Sequence, residues 1–353
     1  MRRIVILSIV AALLCFHQAF GQVTAERAGL GFPGFDPVSI SLGGLRSIGF
    51  GDPVHLVTNP SAISPRLGAC LYSVSYGPVV SDISFTDAAG THGSKWTSAL
   101  GSSSLGMDFD LNSAFTVGIA FARTGGLPFS QLYYSPGHGA AAGDTMQAEG
   151  SFGEADVGFA WEAFRRLVLG ASLGMRISSQ EYAVSYADPT GTITGYKYSR
   201  IEPVFNLGLS VPLERLTLGL CWKSPGEFEK SILAAGGMYR IFPNFSAGGE
   251  IELRNMDSGT VFTERAFAIV IPSDALALRA GVFHAGGAGE ISREGVGFSG
   301  GIGYSIGTID INAGVSRSRI RGDRDVYGYE DLDSYDGNNL ILSLGIAYSG
   351  RNR

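Results

Sequence analysis

Leu167-Val-Leu-Gly-Ala-Ser-Leu-Gly-Met-Arg-Ile-Ser178 decides the fold, because its two faces can be read apart residue by residue. The odd positions are Leu167, Leu169, Ala171, Leu173, Met175 and Ile177; the even ones are Val168, Gly170, Ser172, Gly174, Arg176 and Ser178. Such a period of two belongs to an extended strand. A helix would carry Gly170 and Gly174 in its interior, each at a cost of about 1 kcal/mol relative to alanine. The same alternation returns in Val296, Phe298, Gly300, Ile302, Tyr304 and Ile306, and in Ile309, Ile311, Ala313 and Val315. No stretch of helical length shows a competing period of 3.6.

Working outward, the second face of these strands is mostly Gly, Ser and Ala, where the outside of a soluble sandwich would carry Lys, Glu and Thr. A small-residue face suits the lumen of an all-β transmembrane antiparallel barrel. Scanning on that basis predicts about fourteen strands, over 67–87 (kinked at Gly77-Pro78), 94–109, 114–124, 152–162, 166–187, 192–212, 215–224, 230–241, 243–256, 260–272, 275–284, 295–307, 308–318 and 338–349. The connections alternate in length as such a barrel requires, with short periplasmic turns and long outer loops. The short ones are Asp110–Ser113, Glu162–Arg165, Leu213–Glu214, around Pro243, Ser273-Asp274 and around Gly307; the long ones include Thr124–Ser151, Ala187–Thr192, Ala285–Glu294 and Arg317–Asn338. An even strand count puts both ends of the barrel on the periplasmic side. The last strand carries Ser343-x-Gly345-x-x-Tyr348, which resembles the C-terminal signal read by barrel-assembly machinery, although the chain ends in Gly-Arg-Asn-Arg.

Composition agrees. Only 16% of the 353 residues are Asp, Glu, Lys or Arg, against about 25% in average soluble domains. Gly reaches 51 residues while Pro stays at 14 and aromatics at 11%, a pattern neither collagenous nor disordered. Arg2-Arg3, the apolar run Ile4–Phe16 and Ala19-Phe20-Gly21 form a secretory signal, predicted to end before about Gln22. A lipoprotein anchor at Cys15 is the alternative, but Leu14 stands where a small residue is needed. Without the leader, 24 basic face 32 acidic residues, a net charge of −8, which argues against nucleic acid as a partner. No later apolar run approaches the ~20 residues of a membrane helix. Cys70 and Cys221 remain, too few for a disulfide framework, and alternation places Cys70 toward lipid and Cys221 toward the lumen.

Residues 22–65 precede the barrel without strand alternation. They carry Ser41-Leu42-Gly43-Gly44, then Asp52, then Asn59-Pro60-Ser61-Ala62, in which Asn59 reads as a helix N-cap and Pro60 as the first helical position. This arrangement resembles the N-terminal hatch of FadL-type hydrophobic-compound channels and of the related PorV/PorQ-type barrels, where Gly-Gly, an acidic residue and Asn-Pro-Ala precede a fourteen-stranded barrel. Leu216–Pro225 and Leu276–Gly281 are similar to the same family. The resemblance implies a plug, carrying Gly43, Gly44, Asp52, Asn59 and Pro60, that closes the lumen from the periplasm. In the FadL branch it also implies capture of an apolar ligand by outer loops. The serine in Asn-Pro-Ser-Ala departs from the pattern.

Leu127, Phe129, Leu132, Tyr133 and Tyr134 cluster on the long connection 124–151, as a ligand-capture surface or as loop packing over the barrel mouth. Asp156, Arg176, Glu202, Lys223, Glu250, Glu252, Arg254, Arg279 and Asp310 occupy inward positions, as ion pairs bracing plug and wall or as a catalytic set. Gly295-Val-Gly297-Phe-Ser-Gly300 matches a dinucleotide fingerprint but enters a strand. Arg321-Gly322-Asp323 spells an adhesion tripeptide on an expected outer loop. The acidic residues Asp323, Asp325, Glu330, Asp331, Asp333 and Asp336 lack calcium-loop spacing. His55, His92, His138 and His284 form no metal-ligand pair.

Three parts are therefore expected: a signal peptide over 1–21, a plug over 22–65 and a barrel over 66–353. The expected protein is a non-enzymatic monomer in the outer membrane of a Gram-negative bacterium, with no cofactor and no metal. Its expected partners are lipid and a hydrophobic small molecule, fatty-acid-like or aromatic. The alternative is a PorV/PorQ-like docking barrel whose partners are secretion-system proteins.

Overall fold

The computed structural model describes residues 34–63, 71–87, 90–125, 129–133, 145–185, 194–225, 231–256, 259–289, 292–323 and 332–349. The predicted signal peptide lies outside them. The strands are β1 (Leu71–Asp87), β2 (Gly90–Asn112), β3 (Phe115–Gly125), β4 (Phe129–Tyr133), β5 (Thr145–Phe164), β6 (Leu167–Ser185), β7 (Thr194–Pro212) and β8 (Leu216–Lys223). They continue as β9 (Ser231–Phe242), β10 (Phe245–Met256), β11 (Gly259–Ser273), β12 (Leu276–Gly289), β13 (Ser292–Ile306), β14 (Ile309–Asp323) and β15 (Leu332–Ser349). Apart from β3 and β4, each pairs antiparallel with its neighbour in sequence, and β1 pairs with β15 through Tyr72↔Tyr348 and Val74↔Ile346. Short β4 leaves the circuit, because β3 pairs directly with β5 through Ile119↔Val157. Fourteen strands thus close a barrel, in which each of the fourteen is paired on both sides.

Burial follows the alternation. Ser172 is 2% exposed and Leu173 58%, so adjacent side chains meet different surroundings. Val74, Tyr76, Val157, Phe298, Leu344 and Ile346 are all exposed on the outer face. Apolar surface of that extent is compatible with lipid and not with water. Aromatic residues gather on the outside near the end where β1 begins, among them Tyr72 beside Tyr348, with ring centroids 6.4 Å apart, and Phe115 stacked on Phe159 at 5.2 Å. Cys221 is a buried free thiol on the lumen side; Cys70 lies outside the described residues. At the predicted kink, the pairing of β1 with β2 shifts register between Gly77 and Val79.

Several connections are shorter than expected. The predicted loops 285–294 and 317–338 are largely strand, since β12 runs to Gly289, β13 starts at Ser292, β14 reaches Asp323 and β15 begins at Leu332. Arg321-Gly322-Asp323 therefore sits in a ladder, with Arg321 opposite Asp336. Beyond the apolar belt both faces of a strand meet water, so hydropathy alternation fades while backbone pairing continues. The glycine fingerprint at 295–300 lies within β13, as read from the sequence. Asp325, Glu330 and Asp331 fall outside the described residues.

Candidate functional site

Three Asx-Pro steps build the segment 34–63 that fills the lumen. Asp36 caps the helix α1 (Pro37–Ser41), Asp52 caps the 3-10 turn Pro53–Val57, and Asn59 caps Pro60–Ala62. Each cap oxygen accepts from amides just ahead of it: Asp36 from Val38 at 2.9 Å, Asp52 from Val54 at 2.9 Å and Asn59 from Ser61 at 3.2 Å. Proline suits the next position because its φ is helical and it has no amide to leave unpaired. Sequence reading found only the third step, although the same two-residue signal marks all three.

Gly43 and Gly44 turn the chain out of α1 at φ of 84° and 85°, a left-handed region that side chains disfavour. The amide of Gly44 donates to Ser39 at 2.8 Å, and the Gly43 carbonyl accepts from Arg265 Nε at 2.9 Å. Asn59 ties the plug together, donating through Nδ2 to the Ser47 carbonyl and accepting from Ser61 Oγ at 2.7 Å. The serine that interrupts Asn-Pro-Ala is also a wall contact, with Ser61 Oγ 2.7 Å from Ser210 Oγ.

Two charged clusters bind plug to wall. On β10 and β11, Glu250 accepts from the Arg46 amide at 3.0 Å, from the Ser47 amide and hydroxyl at 2.6 Å each, and from Arg265 Nη1 at 3.0 Å. Neighbouring Glu252 pairs with Arg46 Nε at 3.1 Å, Arg254 Nη2 at 3.0 Å and Arg265 Nη2 at 2.8 Å. All five side chains are buried, a condition charges tolerate only when paired and hydrogen-bonded. On β5 to β8, Lys223 Nζ donates to both oxygens of Glu154 at 2.6 and 2.8 Å, and Arg176 Nε lies 3.5 Å from Glu154. Asp156 accepts from Ser172 Oγ at 2.8 Å and Asn206 Nδ2 at 2.6 Å. This cluster holds the end of the 3-10 turn Pro53–Val57. The Leu56 carbonyl accepts from Ser172 Oγ at 2.8 Å and the Val57 carbonyl from Lys223 at 3.4 Å, groups that a helix end leaves unpaired.

Lumen serines complete the attachment. Ser73 Oγ donates to Asp52 at 2.7 Å, Ser75 to the Phe35 carbonyl at 3.0 Å and Ser299 to the Ser41 carbonyl at 3.0 Å. Where the wall carries glycine, plug backbone fills the space: a methyl on Gly170 would collide with Pro60 and Ser61, on Gly219 with Ser47, and on Gly314 with Pro37. The small-residue lumen face is thus a socket moulded to the plug. Burial pushes the Asp52 carboxyl up to about 6, helped by the nearby charge of Asp36 and opposed by its bonds from Ser73 and Val54 and by His55.

The structure gathers most of the predicted lumen charges. Glu250, Glu252 and Arg254 join the first cluster; Asp156, Arg176 and Lys223 join the second, with buried Glu202 opposite Arg176 in register. Arg279 stands apart and donates to Asn312 at 3.0 Å. Sequence reading missed Glu154 and Arg265, although each shares the inward parity of its strand, and Arg46, which lies in a segment without periodicity. Of the apolar cluster, Phe129, Leu132 and Tyr133 belong to β4, which pairs with β5 through Phe129↔Ala148, so this part of the expected loop is strand. Leu127 and Tyr134 lie outside the described residues. His55 sits inside the plug, its Nδ1 3.3 Å from Thr58 Oγ1. Among the described residues no group of three or more His, Cys, Asp or Glu is arranged to hold a metal ion.

Comparison with solved structures finds the same fold. The toluene transporter TodX of Pseudomonas putida matches with a TM-score of 0.71 at 14% identity, covering 91% of this chain and 100% of that one. A FadL homologue of Pseudomonas aeruginosa matches at 0.66 and 14% identity, with coverage of 91% and 100%. The toluene transporter TbuX of Ralstonia pickettii gives 0.69 at 12% identity, covering 90% and 99%. No family model and no curated protein matches the sequence.

Proposed function

We propose that the chain is an outer-membrane channel of a Gram-negative bacterium, working as a monomer to take up hydrophobic small molecules, aromatic or fatty-acid-like. One observation carries this reading: the fourteen-stranded fold is shared along 91% of the chain with a toluene transporter. The plug is compatible with it, since among the described residues its contacts with the wall are hydrogen bonds, ion pairs and apolar packing, with no disulfide cross-link. In this reading residues 1–21 direct export, 22–65 form the plug and 66–353 the barrel. Leu127, Phe129, Leu132, Tyr133 and Tyr134 give an apolar ligand its first station, and the two charged clusters hold the plug closed. No cofactor and no enzymatic step take part.

The test is uptake of labelled toluene and of a labelled long-chain fatty acid by cells that lack their own hydrophobe channels and express this chain. Faster initial entry of either compound than in vector controls is expected. Unchanged entry of both, with the barrel correctly assembled, would refute the proposal.

A further inference from the structure

An apolar groove of about 480 Å³ indents the outer face of the barrel across β5, β6, β7 and β8. Its floor is set by register: Phe159 stands opposite Ala171, Ala171 opposite Leu207, and Leu207 opposite Trp222. Small Ala171 lies low between larger neighbours, and Trp161 opposite Leu169 forms the next row toward the short turns. Six short turns close this end, over 113–114, 165–166, 213–215, 243–244, 274–275 and 307–308. Their arginines, Arg165, Arg166 and Arg215, all fall in the β5–β6 and β7–β8 turns, which join the strands that carry the groove, and all three are exposed. Glu162 and Glu214 share that arc, leaving it net positive, whereas the turn between β11 and β12 carries Asp274 and no arginine.

We propose that this groove binds an anionic glycerophospholipid of the periplasmic leaflet, with its phosphate at the arginine turns and an acyl chain over Ala171. Three features select that occupant. Short turns of outer-membrane barrels face the periplasmic leaflet. Leu169 lies three residues from Arg166, or about 10 Å along a strand, so a phosphate held at the turn leaves its acyl chain beside the groove. Trp161 borders the groove four residues from Arg165, and tryptophan favours the level where headgroup meets hydrocarbon. The site is on the outer wall and is independent of any route through the lumen.

The full-length barrel, carrying Trp96→Phe so that emission comes from Trp161 and Trp222, is titrated in mild detergent with brominated-chain phosphatidylglycerol or with phosphatidylethanolamine of the same chains. Quenching by phosphatidylglycerol is expected at roughly fivefold lower lipid concentration, the scale of one net positive charge near a membrane surface. Arg166→Gln with Arg215→Gln should abolish that preference, and the matching lysine variants should keep it. Ala171→Phe, or Ala171→Leu where phenylalanine blocks assembly, should fill the groove and weaken quenching by both lipids. Equal affinity for the two lipids, or a preference that survives loss of the arginines, would overturn the proposal. So would a dimer seen by light scattering that Ala171→Phe dissociates, which would give the groove to a second copy of the chain.

Discussion

Ser172 and Leu173 are neighbours in sequence, yet substituting each with arginine should break different things. Leu173 faces outward at 58% exposure, and a charge near the bilayer midplane costs about 2–4 kcal/mol. Leu173→Arg should therefore lower the fraction of barrel that reaches its heat-modifiable assembled form. Alternation alone predicts that Ser172→Arg, on the lumen face, is better tolerated. The structure adds what that change would disturb: Ser172 is 2% exposed and bonds both Asp156 and the Leu56 carbonyl. Ser172→Arg should assemble normally and expose the plug to protease, and identical defects in the two variants would contradict the assignment of faces. Asp52 adds a pH dependence. Its folded pKa of about 6 lies above the ordinary 3.8, so between those values the folded state holds more protons than the unfolded one. Its contribution is fully present below about pH 4 and is lost as pH rises through 6. Amide exchange at Val54 and His55 should accelerate over that window, and Asp52→Asn should flatten the change.

At the scale of elements, legibility depended on what surrounds each segment. Strands crossing the apolar belt were readable because one face meets lipid and the other a small-residue lumen, as in 167–177. Their extensions were not: Arg319, Arg321 and Asp336 look like loop residues, yet they lie in the ladder of β14 and β15. The plug was readable only where a local signal sufficed, at Gly43-Gly44 and Asn59-Pro60. The pairing of Arg46 with Glu250 and Glu252 spans some two hundred residues, and no local pattern encodes it. Alternation marks the wall glycines only as lumen-facing, whereas several are close-contact points with the plug. A matched pair of substitutions tests this. Gly170→Ala would drive a methyl into the plug backbone at Pro60 and Ser61, while the nearest atom to a methyl on Gly300 is 3.6 Å away. Overpacking typically costs about 1–3 kcal/mol, so Gly170→Ala should loosen the plug in hydrogen exchange and Gly300→Ala should behave as the parent.

The molecule as a whole is a barrel whose lumen holds the segment 34–63, and its two ends can be tested against each other. Deleting residues 22–58 removes α1, the turn Pro53–Val57 and Arg46, leaving Glu250, Glu252 and the Glu154–Lys223 pair facing an emptied lumen. Polar solutes such as small sugars should then pass non-selectively, measured by liposome swelling. At the other end, Phe129, Leu132, Tyr133 and Tyr134 replaced together by serine should leave assembly intact, since β4 lies outside the closed circuit of strands. If these residues form the first station for an apolar ligand, losing even one buried aromatic contact of about 1.5–3 kcal/mol should cut capture on the order of tenfold or more. Uptake at limiting concentration should fall accordingly, while entry at saturating concentration falls less. A barrel serving as a docking platform for secretion proteins behaves differently: its hydrophobe uptake is indifferent to the serine substitutions and its surface-protein export declines. Both quantities are measurable in one strain, and normal uptake with defective export there would replace the channel reading by the platform reading.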